Sequence, residues 1–274
     1  MSNSLYAGIS HRRVTVLDIA AAKERGEKWA MLTSYDQMTA EIFEEAGIPA
    51  LLVGDSAANT VLGYQNTIGV TVDELIPLTR AVVRATSRAM VIADLPFGSY
   101  EGSPSQALET ATRFFKEAGA HAVKLEGGAR VLPQIEMLVT NGIPVIGHLG
   151  LTPQSVHTLG GYRVQGRGGK GEEILRDAKA IESAGAFAVV LELVPADLAT
   201  RITSSISIPT IGIGAGKSCD AQVLVWQDLL GLTAKSPKLA KRYLELRSMM
   251  GAAVTEWAQD VSSGNFPGAE QSFE

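Results

Sequence analysis

The chain has 274 residues, of which 46% are hydrophobic, and a formal net charge of −5. This length suits one large domain, since a (β/α)8 barrel takes about 250 residues. No block of clustered Lys and Arg is present, which argues against nucleic acid as a partner because phosphate binding requires clustered positive charge. The apolar stretches fall short of the roughly 20 residues that cross a bilayer, and residues 1–11 lack the apolar core of a signal peptide. With a single cysteine, which excludes an internal disulfide, we expect a cytoplasmic enzyme.

The chain begins with a polar segment, residues 1–13, that we expect to be flexible. Residues 15–25 then predict a helix, because Thr15 is a good N-cap, apolar residues follow at helical spacing, and Gly26 ends the pattern. A helix in this position is able to close the bottom of a barrel.

Short apolar runs recur along the chain, and each closes on a polar group at its C-terminal end. The clearest is Pro-Ala-Leu-Leu-Val-Gly-Asp-Ser at residues 49–56, which is apolar on both faces and is therefore typical of a buried parallel strand. The other predicted strands are residues 29–33, 89–94, 121–125, 144–147, 186–191, 209–213 and 222–226. The predicted helices between them are residues 37–46, 71–88, 105–118, 130–140, 172–184 and 196–204.

Eight strand–helix units without a break in composition predict a parallel α/β protein. A doubly wound open sheet is the competing architecture, but its Gly-x-Gly-x-x-Gly turn is absent after the first strand. We therefore predict a single TIM-barrel domain over residues 1–274, with residues 264–274 flexible like the N-terminal segment.

Two long segments lack a clear period, and long loops of this kind are usually functional. Residues 57–70 and the glycine-rich residues 159–171 are therefore predicted to be walls or lids of a site. Near the end of the chain, residues 237–262 predict one long helix, whose apolar face carries Leu239, Tyr243, Leu246, Met250 and Val254.

Polar residues at the ends of parallel strands converge at one rim of a barrel, which is where barrel enzymes have their active sites. Three carboxylates in successive units suit a hard cation such as Mg²⁺, which takes one or two carboxylates and completes its shell with water or substrate oxygens. Each acid alone is equally suited to capping the following helix or pairing with a base. The converging residues are Asp55, Asp94, Lys124, Glu126, His148 and Glu192.

Three of these side chains are open to more than one interpretation. Lys124 lies two residues before Glu126 and so on the same side of the strand, where it either neutralises Glu126, binds substrate or does both. Glu192 is flanked by apolar residues, and a desolvated carboxylate is a suitable general base, although a buried acid with satisfied hydrogen bonds has the same pattern. A lone histidine at a strand end, such as His148, is as often a hydrogen-bonded structural residue as a catalytic one. The isolated Cys219 is interpreted as structural.

Five sequence blocks are distinctive in combination: Val-Gly-Asp-Ser at 53–56, Ala-Asp-Leu-Pro-Phe-Gly-Ser-Tyr at 93–100, Val-Lys-Leu-Glu-Gly-Gly at 123–128, Gly-His-Leu-Gly-Leu-Thr-Pro-Gln at 147–154 and Ile-Gly-Ile-Gly-Ala-Gly at 211–216. Taken together, they resemble the ketopantoate hydroxymethyltransferase family, and the resemblance extends over nearly the whole chain. It implies a TIM barrel related to the phosphoenolpyruvate mutase and isocitrate lyase group, assembled as a homo-oligomer, typically a decamer.

The same resemblance implies roles for individual residues. It makes Asp55 and Asp94 ligands of one Mg²⁺ per subunit, with Glu126 a third and more distant metal contact. It places a 2-oxo acid on Asp55, Ser56, Asp94 and Lys124, and makes Glu192 the proton acceptor. The implied reaction transfers a hydroxymethyl group from 5,10-methylenetetrahydrofolate to 3-methyl-2-oxobutanoate. It gives 2-dehydropantoate through a magnesium-stabilised enolate, as a step of pantothenate and coenzyme A synthesis.

Two alternatives remain open at this point. A carbon–carbon or phosphorus–carbon lyase of the related group would share the barrel, the metal and the 2-oxo acid, but the Lys-Lys-Cys-Gly-His loop of isocitrate lyase is missing here. A non-catalytic metabolite-binding scaffold is disfavoured because the candidate metal, lysine and base residues are all present.

Overall fold

Eight parallel strands close into a barrel in chain order, with β8 paired to β1. The computed structural model describes residues 8–273. The strands are β1 Trp29–Thr33, β2 Ala50–Val53, β3 Met90–Asp94, β4 Ala122–Glu126, β5 Val145–Gly150, β6 Ala188–Glu192, β7 Thr210–Ile213 and β8 Ala221–Leu224. The predicted (β/α)8 architecture is therefore confirmed.

Helices connect the strands and precede the first of them. They are α1 Val16–Glu24, α2 Gln37–Glu45, α3 Ala57–Thr60, α4 Val72–Ala85, α5 Pro104–Arg113, α6 Leu132–Thr140, α7 Val156–Leu159, α8 Lys170–Ser183, α9 Ala196–Ser205, α10 Trp226–Leu229 and α11 Leu246–Ser263. A π-helical turn, Phe114–Ala118, extends α5, and short 3-10 turns lie at Thr67–Gly69, Ala129–Val131, Pro153–Ser155 and Ala269–Gln271.

Local chemistry explains where many of these elements begin. Every residue of β2, β3 and β4 is buried, as expected for strands covered on both faces. Helix α2 starts where the Asp36 side chain accepts the Thr39 N–H, and α4 starts at a capping box between Thr71 and Glu74. Pro104 occupies the first turn of α5, where its fixed φ suits a helix and its missing N–H has no cost.

The N-terminal helix closes the bottom of the barrel. Ile19 and Ala22 of α1 belong to the same buried cluster as the inward-facing residues of the strands. The Lys23 ammonium extends from α1 to the carbonyl oxygens of Thr203 and Ile208, at 3.0 and 2.9 Å, and lies 3.1 Å from Asp220 Oδ2. These contacts agree with the role predicted for this helix.

The strand register decides which polar side chains become neighbours. Asp94 of β3 is aligned with Lys124 of β4, and Glu126 of β4 is aligned with His148 of β5. Gly150 at the end of β5 is aligned with Glu192 at the end of β6. The C-terminal rim therefore brings polar residues of successive strands side by side.

Several predicted boundaries were wrong for tertiary reasons. Strand β5 continues three residues beyond the predicted end, because His148–Gly150 pair with β6. Strand β8 begins at Ala221 and ends at Leu224, where its ladders with β1 and β7 lie, and Trp226 starts a helix instead. The segment 57–70, whose sequence has no clear period, contains α3 and a 3-10 turn.

The chain divides into two compact units, Met1–Val225 and Trp226–Glu274. The prediction of a single domain remains a prediction. The expected flexibility of residues 1–13 falls partly on residues 1–7, which lie outside the described residues. At the end of that segment, Arg13 Nη2 donates to the Thr86 carbonyl at 2.6 Å.

Within the second unit, the long helix starts nine residues later than predicted. The backbone N–H groups of Tyr243 and Leu246 donate to the carbonyls of Leu229 and Leu230, so the chain doubles back before α11 begins. Arg242 strengthens this turn by donating to the Thr233 and Ala234 carbonyls. Local tertiary bonds thus replace the helical ones that the apolar spacing predicted.

Candidate active site at the C-terminal rim of the barrel

A lysine is buried among carboxylates at the rim. Lys124 Nζ donates to Oδ1 and Oδ2 of Asp94 at 2.7 and 2.8 Å, and lies 3.8 Å from Glu126 Oε1. Burial alone lowers the pKa of Lys124, but the negative charges of Asp94, Glu126 and Asp55 more than offset this and raise its pKa above the ordinary value. The lysine is therefore a permanent positive charge in the site.

A histidine joins two further carboxylates. His148 Nδ1 lies 3.4 Å from Glu126 Oε1, and Nε2 lies 3.4 Å from Glu192 Oε2, both as ion-pair rather than hydrogen-bond contacts. Burial and the charge of Lys124 lower the pKa of His148, but the two carboxylates raise it to about 9. Near neutral pH the imidazolium then bridges Glu126 and Glu192.

The remaining acid, Asp55, follows β2 and lies beside Asp94. The Asp55 backbone N–H donates to Asp94 Oδ2 at 3.2 Å, and Asp55 Oδ2 accepts from Gln154 Nε2 at 3.0 Å. Burial, together with the like charges of Asp94 and Glu126, raises the pKa of Asp55 well above its usual range. Negative charge is therefore in excess around this carboxyl group.

Ser56 is the predicted substrate-binding hydroxyl, and it lies at the start of the short helix α3. Its Oγ is 2.7 Å from the hydroxyl of Tyr35, a buried residue after β1 whose pKa burial raises to about 12. A Cβ added at Gly54 would lie 2.8 Å from Ser56 Oγ and 3.7 Å from Asp94 Oδ2. A larger residue at position 54 would therefore displace the Ser56 hydroxyl, while its contact with Asp94 would be an ordinary one.

The oxygen atoms around Asp55 and Asp94 are the candidate ligands for the predicted cation. Asp55 and Asp94 offer adjacent, buried carboxylate oxygens, and Asp55 Oδ1 accepts no hydrogen bond from the described residues. Glu126 is turned toward His148, and its Oε2 accepts the Gln154 N–H at 3.0 Å. Among residues 8–273, no group of three or more His, Cys, Asp or Glu is arranged to hold a metal ion. Two carboxylates beside excess negative charge fit Mg²⁺ if water or substrate completes its shell.

Two buried residues of the site had escaped the sequence analysis. The Tyr100 hydroxyl lies 2.7 Å from Gln154 Oε1 and 3.0 Å from the Glu126 carbonyl oxygen, both of which are acceptors for its one proton, and its oxygen accepts the Glu126 N–H at 3.1 Å. Both lie in blocks that carried the family resemblance, but they are uncharged and lie in loops. No periodicity or charge pattern singled them out.

The fold and the site together define a barrel enzyme with a lysine–carboxylate centre at the C-terminal ends of its strands. Solved structures with this fold include a phosphonopyruvate hydrolase in complex with oxalate and Mg²⁺, at TM-score 0.61 and 14% identity over 94% of this chain and 93% of the other. A 2,3-dimethylmalate lyase of the phosphoenolpyruvate mutase/isocitrate lyase superfamily matches at TM-score 0.58 and 17% identity, over 95% and 92% of the two chains. At these identities the likeness establishes the fold.

Sequence comparison identifies the family. The ketopantoate hydroxymethyltransferase profile matches residues 13–269. A 3-methyl-2-oxobutanoate hydroxymethyltransferase from Frankia casuarinae is 63% identical over 95% of this chain and 88% of the relative. One from Thermobifida fusca is 60% identical over 98% and 97%. The chain belongs to the ketopantoate hydroxymethyltransferase family. In the described part of the chain, no helix has the length and hydropathy needed to span a membrane.

Proposed function

We propose that this chain transfers a hydroxymethyl group from 5,10-methylenetetrahydrofolate to C3 of 3-methyl-2-oxobutanoate, giving 2-dehydropantoate for pantothenate synthesis. In this reaction a C3–H bond breaks, C3 bonds to the methylene carbon, and water supplies the hydroxyl oxygen as tetrahydrofolate leaves. Membership of the family supports the overall reaction.

One observation of the structure carries the proposal. An unbroken series of contacts of 3.8 Å or less runs from Asp94 through Lys124, Glu126 and His148 to Glu192. It places a fixed positive charge and a candidate base on one rim. Removing a proton next to a carbonyl needs these two elements, since negative charge develops on the substrate oxygen as the base takes the proton.

We assign different tasks to Lys124 and Glu192 of this series. Lys124 binds the 2-oxo acid by its positive charge, and Ser56 offers its hydroxyl to the same acid as a hydrogen-bonding group. Glu192 is the proton acceptor for C3, and its side chain is 15% exposed, compared with 1% for Glu126. Because His148 Nε2 lies 3.4 Å from Glu192 Oε2, it holds the carboxylate in place.

The residues that would hold Mg²⁺ are Asp55 and Asp94, with Glu126 as a more distant contact. Bound there, the ion would supply positive charge to the keto and carboxylate oxygens of the 2-oxo acid and so acidify C3. The folate cosubstrate would enter at the mouth of the barrel, beside residues 57–70 and 159–171. The chain is further proposed to form a homo-oligomer, with a decamer as the expected assembly.

The proposal is tested by following the carbon that is transferred. The protein is incubated with 3-methyl-2-oxobutanoate, Mg²⁺ and tetrahydrofolate carrying a ¹³C-labelled methylene group, and the ¹³C signal is followed by NMR. We expect a new hydroxymethyl carbon on C3 in the wild type, and none with Lys124→Met or after chelation of the metal. A folded wild-type protein that forms no labelled product would refute the proposed function.

A further inference from the structure

A buried glutamine links the two parts of the acidic site. Gln154 is 4% exposed and lies in the 3-10 turn after β5. Its Nε2 donates to Asp55 Oδ2 and to the Leu95 carbonyl, both at 3.0 Å. Its backbone N–H donates to Glu126 Oε2 at 3.0 Å. One residue of this loop therefore contacts a carboxylate after β2 and another on β4.

The orientation of the amide is fixed by its surroundings. The Leu95 carbonyl is an acceptor only, so the NH₂ end must face it and the neighbouring Asp55 Oδ2, and the oxygen end then faces Tyr100. Tyr100 is fully buried, and its hydroxyl lies 2.7 Å from Gln154 Oε1. The amide is thus held at three points, and the reversed orientation would set its oxygen against two others.

The contact with Asp55 has no substitute nearby. Within the described residues, the Gln154 amide is the only hydrogen-bond donor to the Asp55 carboxylate, and it leaves Oδ1 without a partner. Two like-charged carboxylates adjoin this group. Without Gln154, no other hydrogen bond from the described residues would orient this carboxylate.

We propose that Gln154 is a positioning residue that orients Asp55 to receive a divalent cation, and that Tyr100 fixes the glutamine amide. The inference rests on the metal role of Asp55 in the proposed function. Loss of one hydrogen bond to a charged group corresponds to a weakening of metal binding by about 10-fold or more.

The test compares two buried glutamines. Gln134 is 5% exposed and donates to the Tyr100 carbonyl at 3.3 Å, but it contacts none of the carboxylates. Binding of Mn²⁺ is measured by the loss of the free-ion EPR signal for wild type, Gln154→Met, Tyr100→Phe and Gln134→Met. Each protein is first shown to be folded by near-UV circular dichroism.

We expect the Kd for Mn²⁺ to rise about 10-fold or more with Gln154→Met, to rise by a smaller factor with Tyr100→Phe, and to stay within about twofold of wild type with Gln134→Met. Wild-type affinity in a folded Gln154→Met protein would overturn the inference and leave the proposed function intact. If Gln154→Met does not fold, wild-type affinity in Tyr100→Phe overturns the inference instead. Absence of Mn²⁺ binding to the wild type would overturn the metal site of the proposed function itself.

Discussion

Gly150 is the point at which a small change should disturb the proposed base most directly. It ends β5 with φ +93° and is aligned with Glu192 at the end of β6. A Cβ added there would overlap the Glu192 carbonyl oxygen and lie 2.6 Å from Val194 Cγ2. Gly150→Ala must therefore push the two strand ends apart, although the Leu151 N–H holds the Glu192 carbonyl at 2.8 Å.

The expected loss of stability in Gly150→Ala is the sum of two contributions. A side chain at this positive φ costs about 1–2 kcal/mol, and overpacking costs about 1–3 kcal/mol more. Together they predict that Gly150→Ala lowers the free energy of unfolding by about 2–5 kcal/mol. Because the displaced group is the backbone of Glu192, activity should fall even at temperatures where the protein remains folded.

A matched glycine separates the two costs. Gly142 has φ +81°, and a Cβ added there would meet nothing within 4 Å. Gly142→Ala should therefore cost only the conformational part, about 1–2 kcal/mol, and leave activity unchanged. The assay is urea denaturation of both variants, with the 2-oxo acid reaction measured in parallel. If Gly150→Ala is as stable and as active as Gly142→Ala, the close approach of β5 to the Glu192 carbonyl is refuted.

Three further predictions concern buried ionisable groups. Burial and the charge of Arg13 lower the pKa of His121 to about 4, and its Nδ1 accepts the Val91 N–H at 3.1 Å. Because the unfolded chain binds this proton first, stability is full above about pH 6.5 and falls by up to about 3 kcal/mol toward pH 4. Urea titrations should show this loss in the wild type but not in His121→Asn; equal pH slopes would contradict it. The Glu44 carboxylate accepts hydrogen bonds from the backbone N–H groups of Ser87, Arg88 and Ala89, at 2.6–3.1 Å. Glu44→Gln should therefore lower the free energy of unfolding, measured by urea denaturation, by about 1–3 kcal/mol. An unchanged denaturation midpoint would count against these bonds. Lys124→Met leaves buried carboxylates unpaired and should lower the free energy of unfolding by about 3–5 kcal/mol in the same assay. Adding Asp94→Asn to this variant should restore part of that free energy, and no recovery would contradict the pairing of Lys124 with Asp94.

The sequence was enough to predict the barrel because each strand carries its own signal. Buried parallel strands are short apolar runs, and the polar residue that ends each run marks the same rim. The convergence of Asp94, Lys124, Glu126, His148 and Glu192 follows from that topology, and the structure brings these side chains within 3.8 Å of one another in series.

The neutral partners of the site carried no such signal. Gln154 and Tyr100 act through hydrogen bonds whose partners are 99 and 26 residues away in the chain, and neither residue stands out in a loop sequence. The start of α11 was mispredicted for a related reason, since backbone bonds to Leu229 and Leu230 interrupt an apolar pattern that continues through Leu239 and Tyr243. Long-range hydrogen bonds, rather than periodicity, decide both features.

The central claim is that Glu192 takes the C3 proton of the 2-oxo acid. The most direct test incubates the protein with 3-methyl-2-oxobutanoate and Mg²⁺ in D₂O and follows the C3 proton by NMR. Repeats with tetrahydrofolate, with EDTA and with Glu192→Gln complete the test. The account predicts metal-dependent exchange in the wild type that is lost in a folded Glu192→Gln protein, because the amide cannot accept the proton. Exchange that persists in Glu192→Gln at the wild-type rate would contradict the assignment of the base.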